Sequence, residues 1–343
     1  MKNIKFFIFL LFLSNLVYSQ IVISKYAGEF MSFGVGARTS ALGGAFTALA
    51  NDVSASVYNP AGLAQLNYPQ ILLQHEEKFG KLLNYDVASV AIPYGKDYTF
   101  GITLTRNGID GIYDTRNALI DANGDGKLDI TNDRLDPDKI TQFSNTDYVL
   151  YLSYAQKYFD DLYIGANIKF IRRDIAEFSA TGIGFDISAL YFFNENLKFG
   201  ATLKDPTTTL ISWSTGRNEL VSPTLKFGTI YSFELFGNQF SSLYDVDVRF
   251  ENRKYASQFN IGPISFDSHL GIEYNIFKFL NLRAGYSDID ELTFGIGVVL
   301  PRLNIDYSYT KVSSFSDNFI TDSHSVTHRI SIIINLNTKR FLR

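Results

Sequence analysis

Period-two alternation, held over segments of about ten residues and repeated down most of the chain, restricts the fold more than any other feature. In residues 302–310, Leu303, Ile305, Tyr307 and Tyr309 alternate with Arg302, Asn304, Asp306, Ser308 and Thr310. The same period sets Leu162, Ile164, Ala166, Ile168 and Phe170 against Tyr163, Gly165, Asn167 and Lys169. It also sets Tyr244, Val246, Val248 and Phe250 against Asp245, Asp247 and Arg249. Side chains of a strand point alternately to its two faces, so each segment has one apolar and one polar face. Two-sheet sandwiches alternate in the same way, and the period alone does not separate them from a membrane barrel.

Strand length and loop length separate them better. The pattern predicts fourteen strands: 68–76, 84–94, 97–107, 144–157, 160–174, 181–193, 195–204, 222–234, 239–251, 266–276, 278–287, 290–300, 302–311 and 324–336. Most have the 9 to 11 residues, roughly, that a tilted strand needs to cross hydrocarbon, whereas strands of soluble sheets centre on about 5 to 6. Alternate connections are tight, as at Gly95-Lys96, Phe159-Asp160 and Asn194. The intervening ones include 108–143, 205–221, 252–265 and 312–323, long and rich in Asp, Asn, Ser and Pro. Short turns on one rim and long loops on the other mark an outer-membrane barrel, with both chain ends on the periplasmic rim. An exported soluble β protein such as an adhesin leaves these two classes of loop unexplained. The expected fold is therefore all-β, a 14-stranded antiparallel transmembrane β-barrel preceded by a short helical plug.

On this reading Asp186, Asp245, Asp247, Arg249, Asp267, Glu273, Arg283 and Asp306 all point inward, because Lys or Arg on a lipid-facing midplane position costs about 2 to 4 kcal/mol. Gly165, Gly184, Gly200, Gly228, Gly271, Gly285, Gly295 and Gly297 share the inner face and leave room for something packed inside. Tyr148, Tyr154, Tyr191, Tyr274, Tyr286 and Tyr307 suit interfacial girdles, although β-propensity explains part of their placement. Composition agrees: 30 Phe and 21 Tyr stand beside one Trp. The chain has no Cys, which excludes disulfide scaffolds and thiolate chemistry. Its net charge of −4 offers no basic surface for nucleic acid.

The domain plan has three parts. Residues 1–19 read as a signal peptide: basic Met1 to Lys5, an apolar run from Phe6 to Val17, and Val17 and Ser19 at a cleavage site that leaves Gln20 first. Residues 20–67 form a plug segment and residues 68–343 the barrel. Within the plug, 36–66 is rich in Ala and Gly and carries two helix-like runs, with Asn59 placed to cap a helix opened by Pro60. A loose periplasmic leader is the plainer reading of the same residues.

Candidate chemistry is sparse. Asp121, Asn123, Asp125, Lys127 (through its carbonyl) and Asp129 match positions 1, 3, 5, 7 and 9 of an EF-hand-like calcium loop, with Gly126 at the turn. The closing position holds Asn132 where a bidentate Glu is needed, so calcium and a plain acidic turn both fit. His269 is expected to face the lumen near Asp267 and Glu273, as a metal or proton-transfer group or, more simply, as part of a polar network. His324 and His328 share the face of Val326, Ile330 and Ile332 and suit a girdle. Ser, His and acidic residues do not converge as hydrolytic catalysis requires, so no enzyme activity is expected.

The run Ala37-Arg38, Leu42-Gly43-Gly44-Ala45-Phe46, Ala48-Leu49-Ala50-Asn51-Asp52 and Tyr58-Asn59-Pro60-Ala61-Gly62-Leu63 resembles the N-terminal signature of the PorV/PorQ family of outer-membrane proteins, itself similar to FadL-type transporters. The resemblance implies an outer-membrane barrel plugged by this segment, with Gly43, Gly44, Asn59, Pro60, Ala61 and Gly62 as plug or gate residues. For PorV-like members it further implies a part in type IX secretion, binding or shuttling exported cargo, with a secretion translocon or cargo C-terminal domains as partners beside outer-membrane lipid. FadL-like members instead pass hydrophobic small molecules, which is the alternative expectation.

Overall fold

Fourteen strands hydrogen-bond in a closed antiparallel ring in the computed structural model, which describes residues 21–23, 27–78, 81–122, 124, 126, 133–250, 257–287, 291–312 and 326–337. They are β1 (Gln70–Lys78), β2 (Leu83–Tyr94), β3 (Tyr98–Asp114), β4 (Thr141–Lys157), β5 (Leu162–Ile175), β6 (Phe178–Phe192) and β7 (Leu197–Lys204). After these come β8 (Thr224–Leu235), β9 (Asn238–Arg249), β10 (Ile264–Ile276), β11 (Leu280–Tyr286), β12 (Glu291–Val299), β13 (Leu303–Val312) and β14 (Val326–Asn335). Each strand pairs with the next, and β14 closes on β1 with Gln70 opposite Asn335 and Glu77 opposite His328. The expected signal peptide lies outside the described residues.

All fourteen predicted strands exist, and most ends agree within two or three residues. The largest difference is β3, which runs on to Asp114 past a bulge between Ile109 and Ile112. Alternation failed there as a guide because β3 and β4 rise above the membrane, where both faces meet water and period two is no longer enforced. The second correction concerns residues 205–221, expected as a loop. After an excursion at 205–208, with positive φ at Asp205 and Thr208, the chain resumes pairing to β6 as Thr209–Trp213 and turns back as Asn218–Val221. Wall and loop are continuous here. The outer edge of Asn218–Val221, which β9 does not reach, pairs in parallel with Ile21–Ile23.

The outward faces form an apolar belt. Phe100, Ile102 and Leu104 on β3 and Ile168 and Phe170 on β5 are exposed, and the next outward residues, Arg106 and Arg172, begin a polar collar. Leu162 to Phe170 at about 3.4 Å per residue and a tilt of about 40° spans roughly 21 Å, near the ~25 Å apolar band of such barrels. The buried core lies inside the ring, where Val35, Leu42, Phe46, Val53, Val57 and Leu63 pack against wall residues Leu72, Tyr85, Val87, Val149, Tyr151 and Leu243.

That inner core is the N-terminal segment. It contains a one-turn 3-10 helix at Glu29–Met31, α1 (Ala37–Ala41), α2 (Ala55–Tyr58) and a second 3-10 helix at Pro60–Gln65. Asn59 caps the last of these, its side chain accepting from the Ala61 N–H, with Pro60 at the first turn. Six of the eight inner glycines make the space. A Cβ on Gly165 would run into Pro60 and Ala61, on Gly200 or Gly228 into Thr47 and Ala48, on Gly271 or Gly285 into Leu42 and Gly43, and on Gly295 into Ala41. Gly184 and Gly297 instead give room to wall side chains, Thr209 and Lys169 in one case and Asp306 and Arg283 in the other.

Candidate functional site

The site is the plugged lumen, and its architecture follows from which inward side chains reach the N-terminal segment. The inward faces of β1 and β14 supply Gln74, Glu76, Arg329 and Ser331. Gln74 Oε1 accepts from the Gly36 N–H at 2.6 Å and Ser331 Oγ from the Ala37 N–H at 3.0 Å. Arg329 donates to Glu76 at 2.8 Å and to the Phe33 carbonyl at 2.8 Å. One guanidinium thus joins a buried wall carboxylate to the plug backbone.

Farther round the ring, Arg38 of α1 donates through Nε and Nη2 to the two oxygens of Glu273, each at 2.9 Å. Arg283 joins the same carboxylate at 2.6 Å and continues to Asp306 at 2.6 Å. Asp245 on β9 receives the Phe46 and Thr47 N–H groups on one oxygen, at 3.0 and 2.8 Å. Near the short-turn rim, Asn59 donates to the carbonyls of Thr47 at 2.7 Å and Ala189 at 3.1 Å, while Ser188 Oγ accepts from the Ala61 N–H at 2.9 Å. Charge-assisted hydrogen bonds are worth about 1.5 to 3 kcal/mol each, about as much as one buried apolar side chain, so this set rivals the apolar contribution of several such side chains.

The acidic and basic residues expected inside all face inward, but their partners differ in kind. Glu273 and Asp245 hold the plug, whereas Asp247, Arg249 and Asp267 form a wall network with Lys226. Asp186 and Asp205 share Lys169 at the 205–208 excursion. His269 was expected beside Asp267 and Glu273. Its Nδ1 instead donates to the Gly43 carbonyl at 2.7 Å, and its Nε2 lies 3.6 Å from Asp247. Residues 267 and 273 share its strand face, but inside the ring their charges are taken by Arg249 and by Arg38 with Arg283.

The predicted plug or gate residues lie together along the segment's buried path. Gly43, at positive φ, sits against the Tyr286 backbone, and Gly44, also at positive φ, sits against the His269 ring. Gly62 touches the Ala50 carbonyl region, and Asn59, Pro60 and Ala61 line the floor beneath Gly165 and Ser188. The segment does more than occupy the mouth. It starts beside Asn218–Val221 near the long-loop rim, winds past β14, β12, β11, β10 and β9, and leaves by Leu66 at the short-turn rim. Residues 27–33 fall within the expected plug segment of 20–67, but their sequence did not announce where on the wall they seat. Nothing in the sequence marked Arg38, Glu76 and Arg329 as members of a pair of clamps.

In the long loop, Leu119–Ile120 and Arg134–Leu135 pair as a small sheet that closes the expected calcium motif. Asp121 accepts the N–H groups of Gly124 and Gly126, both at 2.6 Å, and Asp133 accepts that of Ala122 at 2.9 Å. Asn123, Asp125, Lys127 and Asp129 lie outside the described residues, as does His324. His328 pairs with Tyr307 Oη at 2.7 Å on the outer face. At the same rim, hydrogen bonding from Arg116 holds the Asp114 carboxyl down to about 2.

This geometry defines a class by its fold, a closed fourteen-stranded antiparallel β-barrel with its N-terminal segment packed inside. The fold is similar to the Ralstonia pickettii toluene transporter TbuX, at 15% identity and TM-score 0.55 over 88% of this chain and 97% of that one. It is also similar to the CymD monoaromatic hydrocarbon channel, at 13% and 0.59 over 89% and 98%. A Pseudomonas aeruginosa FadL homologue aligns at 12% and 0.54 over 86% and 96%. Identities this low show a common fold. A model of an uncharacterised protein family, UPF0164, matches residues 18–184. No curated protein matches the chain.

Proposed function

We propose that the protein resides in the outer membrane and passes small apolar molecules through a lumen gated by its N-terminal plug. The carrying observation is the plug itself. It is held to the wall by side-chain hydrogen bonds and ion pairs, each breakable without unpairing a strand, which suits a gate better than a scaffold. The belt of outward apolar residues supports the location, and the relatives in fold include proteins named as toluene and monoaromatic hydrocarbon carriers. No catalytic group enters this reading. The test compares uptake of radiolabelled toluene by cells with and without the intact protein. Several-fold faster uptake is expected with it, and equal rates overturn the reading.

A second reading, cargo binding in type IX secretion, draws its support from the run between Ala37 and Leu63. Co-purification of a secretion translocon or of cargo C-terminal domains, with toluene uptake unchanged, would put it first. We also propose that calcium orders the loop at 121–132, since Asp121 already gathers two N–H groups in the manner of a first ligand. Chelator is then expected to expose residues 115–140 to protease, and unchanged cleavage removes the metal.

A further inference from the structure

The upper end of the plug is seated in a slot that its role as a gate does not require. Phe30 is buried, and its ring lies 4.3 Å from the Arg173 guanidinium carbon, which is also 5.5 Å from the Trp213 ring. Asp147 fixes Arg173 through its Nε at 2.7 Å, so the guanidinium presents its face to both rings. Asn107 donates to the Phe30 carbonyl at 2.7 Å. Behind the ring, Gly28 lies so close to the wall that a Cβ on it would be 2.7 Å from Val221 Cγ1.

Two polar atoms of this slot are left over. The Trp213 indole N–H and the Asn107 amide oxygen are both buried and have no hydrogen-bond partner among the described residues. Phe30 therefore fills the apolar volume but satisfies neither group. A donor and an acceptor left unpaired beside a benzene-ring slot are what a phenolic hydroxyl pairs, since it both donates and accepts.

We propose that this slot is a binding site for a hydroxylated aromatic ring, and that Phe30 is a built-in stopper which the ligand displaces. The proposal rests on the channel reading for a ligand that arrives from outside. A planar ring takes the place of Phe30 against the Arg173 guanidinium, which also lies over Trp213. Its hydroxyl donates to the Asn107 amide oxygen and accepts from the indole N–H, pairing the two atoms that Phe30 leaves unpaired. Residues 27–33 then lift from the wall and the outer end of the plug is free to move.

The chain supplies its own reporter, because Trp213 is its one tryptophan. In full-length protein purified in detergent and shown to be folded by heat-modifiable gel mobility, p-cresol is expected to change Trp213 emission saturably. Its half-saturating concentration should lie about thirtyfold below that of toluene, the factor for two net neutral hydrogen bonds. Phe30→Ala should lower that concentration about tenfold, as expected if the stopper holds the slot about nine-tenths of the time. Because native Cys is absent, Gly28→Cys with Val221→Cys can staple the strap. The oxidised staple should abolish the response and reductant restore it.

Absence of a saturable response in both wild type and Phe30→Ala overturns the site. Equal affinities for p-cresol and toluene overturn the hydroxyl preference, and an undiminished response in the oxidised staple overturns the stopper. These readings are made without transport. Failure of toluene uptake alongside a positive Trp213 titration therefore counts against the channel and not against the slot.

Discussion

Asp245 places the Phe46 and Thr47 N–H groups on one carboxylate oxygen at the middle of the wall. Replacing it by Asn keeps the shape but removes the charge that strengthens both bonds. Asp245→Asn is expected to weaken plug seating by roughly 2 to 3 kcal/mol, the difference between charged and neutral hydrogen bonds taken over two bonds. Limited proteolysis of the folded barrel measures this as faster nicking within 36–66 while the strands stay intact. Gly165→Val should act more severely, because the added Cβ meets the backbone of Pro60 and Ala61, which has no side chain to yield. Unchanged protection in that variant would show that the 60–65 helix is not seated as described. At this scale the sequence was informative about which residues face inward and silent about what they hold. Glu273 and Asp267 share one strand face and one chemistry, yet only Glu273 meets Arg38, a contact between residues 235 positions apart.

The strands read clearly from the sequence because hydrocarbon enforces a single polarity on each face, so period two survives wherever the wall is in the membrane. The same argument gives a sharp expectation for β5. Ile168→Arg puts a cation on the lipid face and is expected to cost about 2 to 4 kcal/mol, measured by urea unfolding from lipid vesicles. Lys169, one residue away, is tolerated because it turns inward to Asp186 and Asp205. Above the membrane the rule lapses. The overrun of β3, the hairpin at 209–221 and the parallel pairing of Ile21–Ile23 are set by contacts distant in sequence, and no local pattern announced them.

At the scale of the whole molecule, the inner faces of wall and plug have to agree all the way round. A one-residue slip in any strand would exchange its inner and outer faces. In β11 the slip would carry Gly285 to the lipid and bring Ala284 or Tyr286 against Gly43, where a side chain has no room. Removing residues 20–66 while keeping the barrel sequence is therefore expected to yield several folded species by heat-modifiable mobility in place of one, and a single sharp band would contradict this. Under the proposed function the plug is an obstruction in a passage. Touching strands from β1 round to β14, it also fits the inner face of the whole ring in one register only, so a wall closed in another register has no seat for it.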